Sequence, residues 1–229
     1  SVVGNITADE LSTLLDKNLG DLPTTYKPDV TLADVSLPKD SKEIILKQDI
    51  PQTIIRFGFE GLKRSDPDYI TGFVMNYILG SGDLTSRLNN EIREKRGLAY
   101  SSSSSLVPMQ HAAVFSGGVA TRNEKVEETL TVLKQTLSDF YLKGVSEEEL
   151  SDAKRFLTGS FVVKFDSNSS IVSFLTTMQL HNLGIDYMDK RNSLINAVTV
   201  EQINAMAKRL IQLDKLQIVM IGKPQLNGT

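Results

Sequence analysis

The chain has 229 residues, with 25 Lys and Arg against 28 Asp and Glu, 40% hydrophobic residues, and neither Cys nor Trp. This is the make-up of an ordinary globular protein of one large or two small domains. It excludes disulfides, thiolate metal sites and a cysteine nucleophile, and its slight acidity lacks the basic footprint that nucleic acid requires.

No apolar run approaches the roughly 18–20 residues that span a bilayer, so no membrane partner is expected. Absence of cysteine fits cytosol and periplasm alike. Ser1–Val3 reads as the end of a β-strand turning at Gly4 and Asn5 into a helix over Ala8–Leu19, capped by Thr7 with Glu10 three residues on. A start in mid-strand suggests a piece of a longer polypeptide. Pro23, Pro28 and Pro38 punctuate a stretch from Gly20 to Asp40 with little periodicity, which reads as a linker.

From Glu43 the pattern tightens. Ile44–Leu46 and Thr53–Phe59 are β-branched and aromatic runs separated by Gln48–Pro51, and are expected to be neighbouring strands. Asp66 and Pro67 open a helix with apolar positions Ile70, Phe73, Val74, Tyr77 and Ile78, ending at Gly80-Ser-Gly. A second helix is expected from Leu84 to Lys95, stopped by Gly97, with Arg96 as a solvated side chain on it. Leu98–Leu106 and Ala112–Ala120 then look like a strand pair joined through Pro108. The Ser101–Ser105 run inside the first of these is either a flexible linker or a strand showing small hydroxyls to a polar cavity.

Asn123–Lys143 is a long amphipathic helix stopped by Gly144, and Ser146–Glu149 is a capping box opening another through about Val163. Further helices are expected over Ser169–Asn182, Asp186–Ala197 and Val200–Ile211, with a closing strand at Leu216–Ile221. The class is therefore α+β, a mostly antiparallel sheet with helices layered on one face. The closing Val219-Met-Ile-Gly-Lys faintly echoes the opening Val2-Val-Gly-Asn.

Chemistry-bearing motifs are few. A hydrolytic zinc site usually takes three protein ligands, but the chain holds only His111 and His181, neither in a paired histidine motif. No G-x-S-x-G elbow and no G-x-x-x-x-G-K-[ST] loop is present. The segment Leu84–Tyr100 is the most informative. Arg93 and Tyr100 stand seven positions apart with Gly97 breaking the helix between them, so both side chains can turn toward one cleft. Arg offers a rigid donor fork and Tyr a phenolic donor. On the residues alone, a solvated Arg and a Tyr at the edge of the core are the simpler reading.

The order Gly80-Ser-Gly, Ser86-Arg-Leu, Arg93-Glu-Lys-x-Gly-Leu-Ala-Tyr100, Gly117-Gly, Val145-Ser-Glu-Glu-Glu-Leu-x-x-Ala-Lys154 and Val198-Thr-x-Glu201 resembles the pitrilysin or insulinase family of zinc peptidases. The resemblance runs from Glu43 to Lys223, and Ser1–Pro23 resembles the end of the family's preceding homologous domain. It implies residues 1–27 as that domain's end, 28–42 as a linker, 43–224 as a C-terminal domain of the family's fold and 225–229 as a tail. It further implies that Arg93 and Tyr100 are the pair that closes over a peptide substrate, with Tyr100 also serving the chemical step. This chain lacks H-x-x-E-H, so no cofactor is expected in it. The resemblance places zinc and the general-base Glu in a missing N-terminal half or a partner subunit, within a homo- or heterodimer. The rival reading is a structural subunit of the same family. Bacterial relatives of this kind are often exported, which favours the periplasm.

Overall fold

A computed structural model describes residues 1–25 and 32–226, which form two compact units. The first comprises residues 1–33 and 160–187, the second residues 34–159 and 188–229. The boundary expected at residues 27 and 28 and the last three residues of the tail lie outside the described residues.

In the first unit, α1 (Ala8–Leu19) begins as its cap signals require. The Thr7 hydroxyl accepts from the Glu10 amide at 3.3 Å while the Glu10 carboxylate accepts from the Thr7 amide at 2.8 Å. Such a reciprocal pair satisfies two amides that the first helical turn would otherwise leave free. Ser1–Val3, expected as a strand end, lies outside the strands. The helix α6 (Asn168–Leu180) is capped by Ser167, whose hydroxyl accepts from Ser170. Phe161, Phe165 and Phe174 meet edge to face, with ring centroids 5.0–5.5 Å apart.

The second unit is built on a five-stranded sheet of β1 (Lys42–Lys47), β2 (Gln52–Glu60), β3 (Ala99–Pro108), β4 (Ala113–Arg122) and β5 (Gln217–Gly222), in the order β1-β5-β2-β4-β3. Three of its four pairings are antiparallel and β1 runs parallel to β5. The α+β class with a mostly antiparallel sheet holds. The first two strands are not neighbours, because β5 lies between them. Ile218 and Met220 of β5 are buried, whereas every residue of β1 is exposed. The strand whose alternation matches the core takes the interior place, and the lysine-flanked β1 is left at the edge, where charge discourages further pairing.

Along β2, Thr53, Ile55, Phe57 and Phe59 are buried and the alternate residues exposed, so one sheet face carries the core. The helices α2 (Tyr69–Asn76), α4 (Val126–Lys143), α5 (Glu147–Gly159), α7 (Tyr187–Asn196) and α8 (Val200–Leu210) supply its other half through Val74, Met75, Leu133, Leu137, Phe140, Ile195, Ile203 and Met206. α5 stops at Gly159, four residues before the expected end. Gly117 of β4 is where Phe57 crosses the sheet. An added Cβ would lie 2.2 Å from a Phe57 ring carbon and 2.5 Å from the Ser103 carbonyl oxygen.

A polar brace ties the corner between α4 and α5 to the short helix α3 (Arg87–Asn89). Arg87 donates to both Glu149 carboxylate oxygens at 2.6 and 2.7 Å and to the Gly144 carbonyl at 2.7 Å, and its guanidinium lies 4.8 Å from the Phe140 ring centroid. Gly144 closes α4 at φ +68, a conformation open to glycine. Burial pushes the Glu149 carboxyl up, but the Arg87 donors and the Ser146 amide outweigh it and hold the group below the ordinary glutamate value of 4.5.

Two outcomes follow from this packing. Gly117→Ala must displace the Phe57 ring or the β3 backbone, at a cost of about 1–3 kcal/mol, which a denaturant titration reads as a lowered midpoint with unchanged slope. Because the folded pKa of Glu149 lies below its unfolded value, its contribution is present above about pH 4.5 and is lost as pH falls through the folded pKa. Glu149→Gln should therefore unfold more easily than the wild type at pH 7, with the difference shrinking in acid. A difference that stays constant with pH would show that the carboxylate charge contributes nothing.

Candidate active-site pair and its anchor

The expected second helix is broken into three pieces: a 3₁₀ turn at Asp83–Thr85, α3 at Arg87–Asn89 and a π-helical turn at Asn90–Glu94. A second π turn, Tyr77–Ser81, extends α2. Widened turns of this kind re-aim the side chains that follow them. Arg93 sits on the last turn. Beyond it Gly97 takes φ +60, and its amide donates to the Arg93 carbonyl at 2.8 Å, while Leu98 donates to the Ile92 carbonyl at 2.9 Å. Nothing lies within 4 Å of a Cβ at Gly97, so the glycine is needed for its backbone conformation and not for space. The chain reverses there directly into β3.

β3 pairs with β4 in register from Ser102 onward, but Ala99–Ser102 carries a β-bulge. The bulge puts Tyr100 and Ser101 both on the exposed side, and Tyr100 is 85% exposed. The reversal at Gly97 and the bulge together bring the two singled-out residues to one surface: the Arg93 guanidinium carbon lies 4.9 Å from the Tyr100 ring centroid. That is cation–π distance. The ionic partner of Arg93 among the described residues is its neighbour Glu94, at 3.3 Å. The Tyr100 hydroxyl makes no hydrogen bond to the described residues. A donor fork and a phenol therefore stand side by side with their hydrogen-bonding capacity largely unspent.

Arg96 is not the free solvated side chain expected. It donates to the Glu91 carboxylate at 2.6 Å and to the Glu91 carbonyl at 2.8 Å. Lys95 joins the same carboxylate, and its hydrogen bond is the main reason the Glu91 pKa is lowered. These contacts staple the turn around Gly97.

The serine run is a strand, with Ser102 and Ser104 buried toward the helices and Ser101, Ser103 and Ser105 exposed. The buried serines are only 1% and 4% exposed. They meet two asparagines that the sequence reading did not single out. Ser104 donates to the Asn76 carboxamide oxygen at 2.7 Å, and the Ser102 amide donates to that of Asn89 at 2.8 Å. Asn89 in turn donates to the Asp83 carbonyl at 2.8 Å. The sequence signal was a polar residue at a buried helical position, which periodicity alone does not separate from an exposed one.

Among the described residues no group of three or more His, Cys, Asp and Glu could hold a metal ion. His111, in the turn between β3 and β4, has its Nδ1 3.5 Å from Asp34, and His181 is the residue that ends α6. The described residues do not fit a zinc site. Among the described residues no helix is long and apolar enough to cross a membrane.

Comparison with known proteins identifies the family. Residues 1–157 match the family described as peptidase M16 inactive domain. Among curated proteins, the chain is 27% identical over 218 residues to an uncharacterized zinc protease, YmxG, of Bacillus subtilis, covering 93% of this chain and 51% of that protein. It is 28% identical over 225 residues to a non-peptidase homolog of Helicobacter pylori, covering 96% of this chain and 50% of that one. Among solved structures, a peptidase M16 inactive domain from Pseudomonas fluorescens superposes with a TM-score of 0.85 at 32% identity, over 98% of this chain and 52% of its own. The chain spans about half the length of the curated relatives it matches. With that match extending over more than two thirds of its residues, the chain belongs to the peptidase M16 inactive-domain family.

Proposed function

We propose that this chain is the substrate-binding half of a zinc-dependent peptidase, with the zinc site supplied by a preceding homologous half or a partner subunit. The observation that carries the reading is the pairing of Arg93 with the exposed Tyr100, 4.9 Å from guanidinium carbon to ring centroid. In this role Arg93 grips main-chain carbonyls of an extended peptide through its fork. Tyr100 donates a hydrogen bond to the scissile carbonyl oxygen, a bond that strengthens as negative charge develops there. Both side chains act as donors, the guanidinium through its fork and the phenol through its hydroxyl. The chain alone holds no zinc and cleaves no peptide, and residues 1–27 serve as the end of the preceding domain. The complete assembly is a homo- or heterodimer in the periplasm.

A second reading, a structural or interaction subunit without catalysis, is favoured by the Helicobacter pylori relative named as a non-peptidase homolog. An isolated structural role gives no reason to present a phenol and a guanidinium together at the surface.

The test uses the longer polypeptide or heterodimer that carries the zinc motif. Tyr100→Phe should lower kcat and kcat/KM together, on the order of 10²-fold, as loss of one oxyanion donor does. Arg93→Ala should raise KM more than it lowers kcat, and Lys should rescue poorly because it lacks the fork. Lys208→Ala, on the exposed face of α8, should leave both constants within about twofold. Wild-type cleavage by both Tyr100→Phe and Arg93→Ala would leave the structural-subunit reading in its place.

A further inference from the structure

Tyr100 owes its exposure to a bulge, and a bulge in an edge strand needs a restraint. β3 is the last strand of the sheet, so its outer amides have no strand to pair with. At the upstream end of the bulge the Leu98 carbonyl is held by the Thr121 hydroxyl of β4 at 2.6 Å, and Leu98 itself is buried. At the downstream end the Ser102 amide turns to Asn89. The Ser102 hydroxyl, by contrast, is buried with no partner among the described residues, and the residue is 1% exposed. Backbone and not side chain therefore anchors Ser102.

Asn89 is 3% exposed and both ends of its carboxamide are spent, one on Ser102 and one on the carbonyl of Asp83. Asp83 is strained at φ +49, and its carbonyl also accepts from the Ser86 hydroxyl at 2.8 Å. The helical stretch that bears Arg93 is thus joined at Asn89 to the strand that bears Tyr100. We propose that Asn89 is the positioning residue of the Arg93–Tyr100 pair: its carboxamide fixes the Ser102 end of the bulge and so sets the phenol against the guanidinium. The function of that placement rests on the substrate-binding reading, but the placement itself does not.

The placement can be read in this chain without any activity. Labelling with 3-fluorotyrosine gives one ¹⁹F resonance per tyrosine, and the signal missing in Tyr100→Phe identifies Tyr100. Arg93→Ala should shift that signal in the wild-type background, because the cation leaves the ring. In Asn89→Ala the Tyr100 signal should move and the further effect of Arg93→Ala should vanish, while the signals of Tyr69 and Tyr141 stay in place. Two comparisons separate positioning from general loss of stability. Asn76→Ala removes an equally buried hydrogen bond, to Ser104, and should leave Tyr100 and its response to Arg93 unchanged. Ser102→Ala removes only the unpartnered hydroxyl and should do the same, with no loss of stability. Should Asn89→Ala fail to fold, Asn89→Ser, too short to reach the Ser102 amide, should give the displaced Tyr100 signal.

An Asn89 variant in which Tyr100 keeps its wild-type resonance and its full response to Arg93→Ala would overturn the proposal. In the zinc-bearing assembly, Asn89→Ala and Tyr100→Phe should be non-additive in kcat/KM. Displacement of Tyr100 with undiminished peptide cleavage would uphold the positioning role and refute the substrate-binding reading, so the two failures are distinguishable.

Discussion

An unpaired amide at the edge of a sheet must find a partner, and in this chain that need is met at Ser102 by a side chain from a helix. The consequences reach through the whole local structure. Because Asn89 takes the amide, β3 stays tied to the α3 segment while its residues upstream leave the ladder as a bulge. Because the strand is tied there, the π turns at Tyr77–Ser81 and Asn90–Glu94 lie close beneath it, close enough that a Cβ at Gly80 would fall 2.2 Å from the Ser104 hydroxyl. A glycine at that point is a packing requirement. The widened turns let two helices press backbone against an edge strand, and polar side chains occupy the resulting seam.

The rest of the second unit holds that seam still. Arg87 starts α3 and is fastened to the Glu149 carboxylate and the Gly144 carbonyl, so the helix segment is set from the α4–α5 corner at one end and by the Gly97 turn at the other. A bidentate Arg–carboxylate pair that is only partly exposed holds direction as well as energy. Behind it, the aromatic and aliphatic core of Phe57, Phe59, Phe115, Leu137 and Phe140 gives the sheet and the helices a rigid mutual placement. Specificity of geometry at Arg93 and Tyr100 therefore derives from burial several residues away, while Arg93 is half-buried and Tyr100 exposed.

The described residues contain no cluster able to hold a metal, yet they contain an exposed phenol beside a guanidinium, mounted on restrained backbone. Restraint of this kind has a cost in buried polar groups, the unpartnered Ser102 hydroxyl among them. A purely architectural domain could fill the same seam with apolar side chains. The polar seam instead holds the guanidinium and the phenol in a fixed mutual placement.

Much of the secondary structure was legible because its signals are local. Thr7 with Glu10 and Ser146 with Glu149 each cap a helix through hydrogen bonds that span only three residues, and those helices start where the caps stand. The alternation in Thr53–Phe59 likewise marks one buried face whatever the strand pairs with. The Arg93-to-Tyr100 segment stood out in the sequence, with Gly97 visible as its break. The sequence alone did not determine that β5 would come between β1 and β2, because the choice depends on which strand's apolar residues meet the helices, a comparison between segments far apart in the chain. Nor did it determine the bulge at Ala99–Ser102 or the roles of Asn76 and Asn89. An asparagine has the same propensities whether it faces water or the amide of an edge strand, and only the folded neighbourhood supplies the partner that makes it structural.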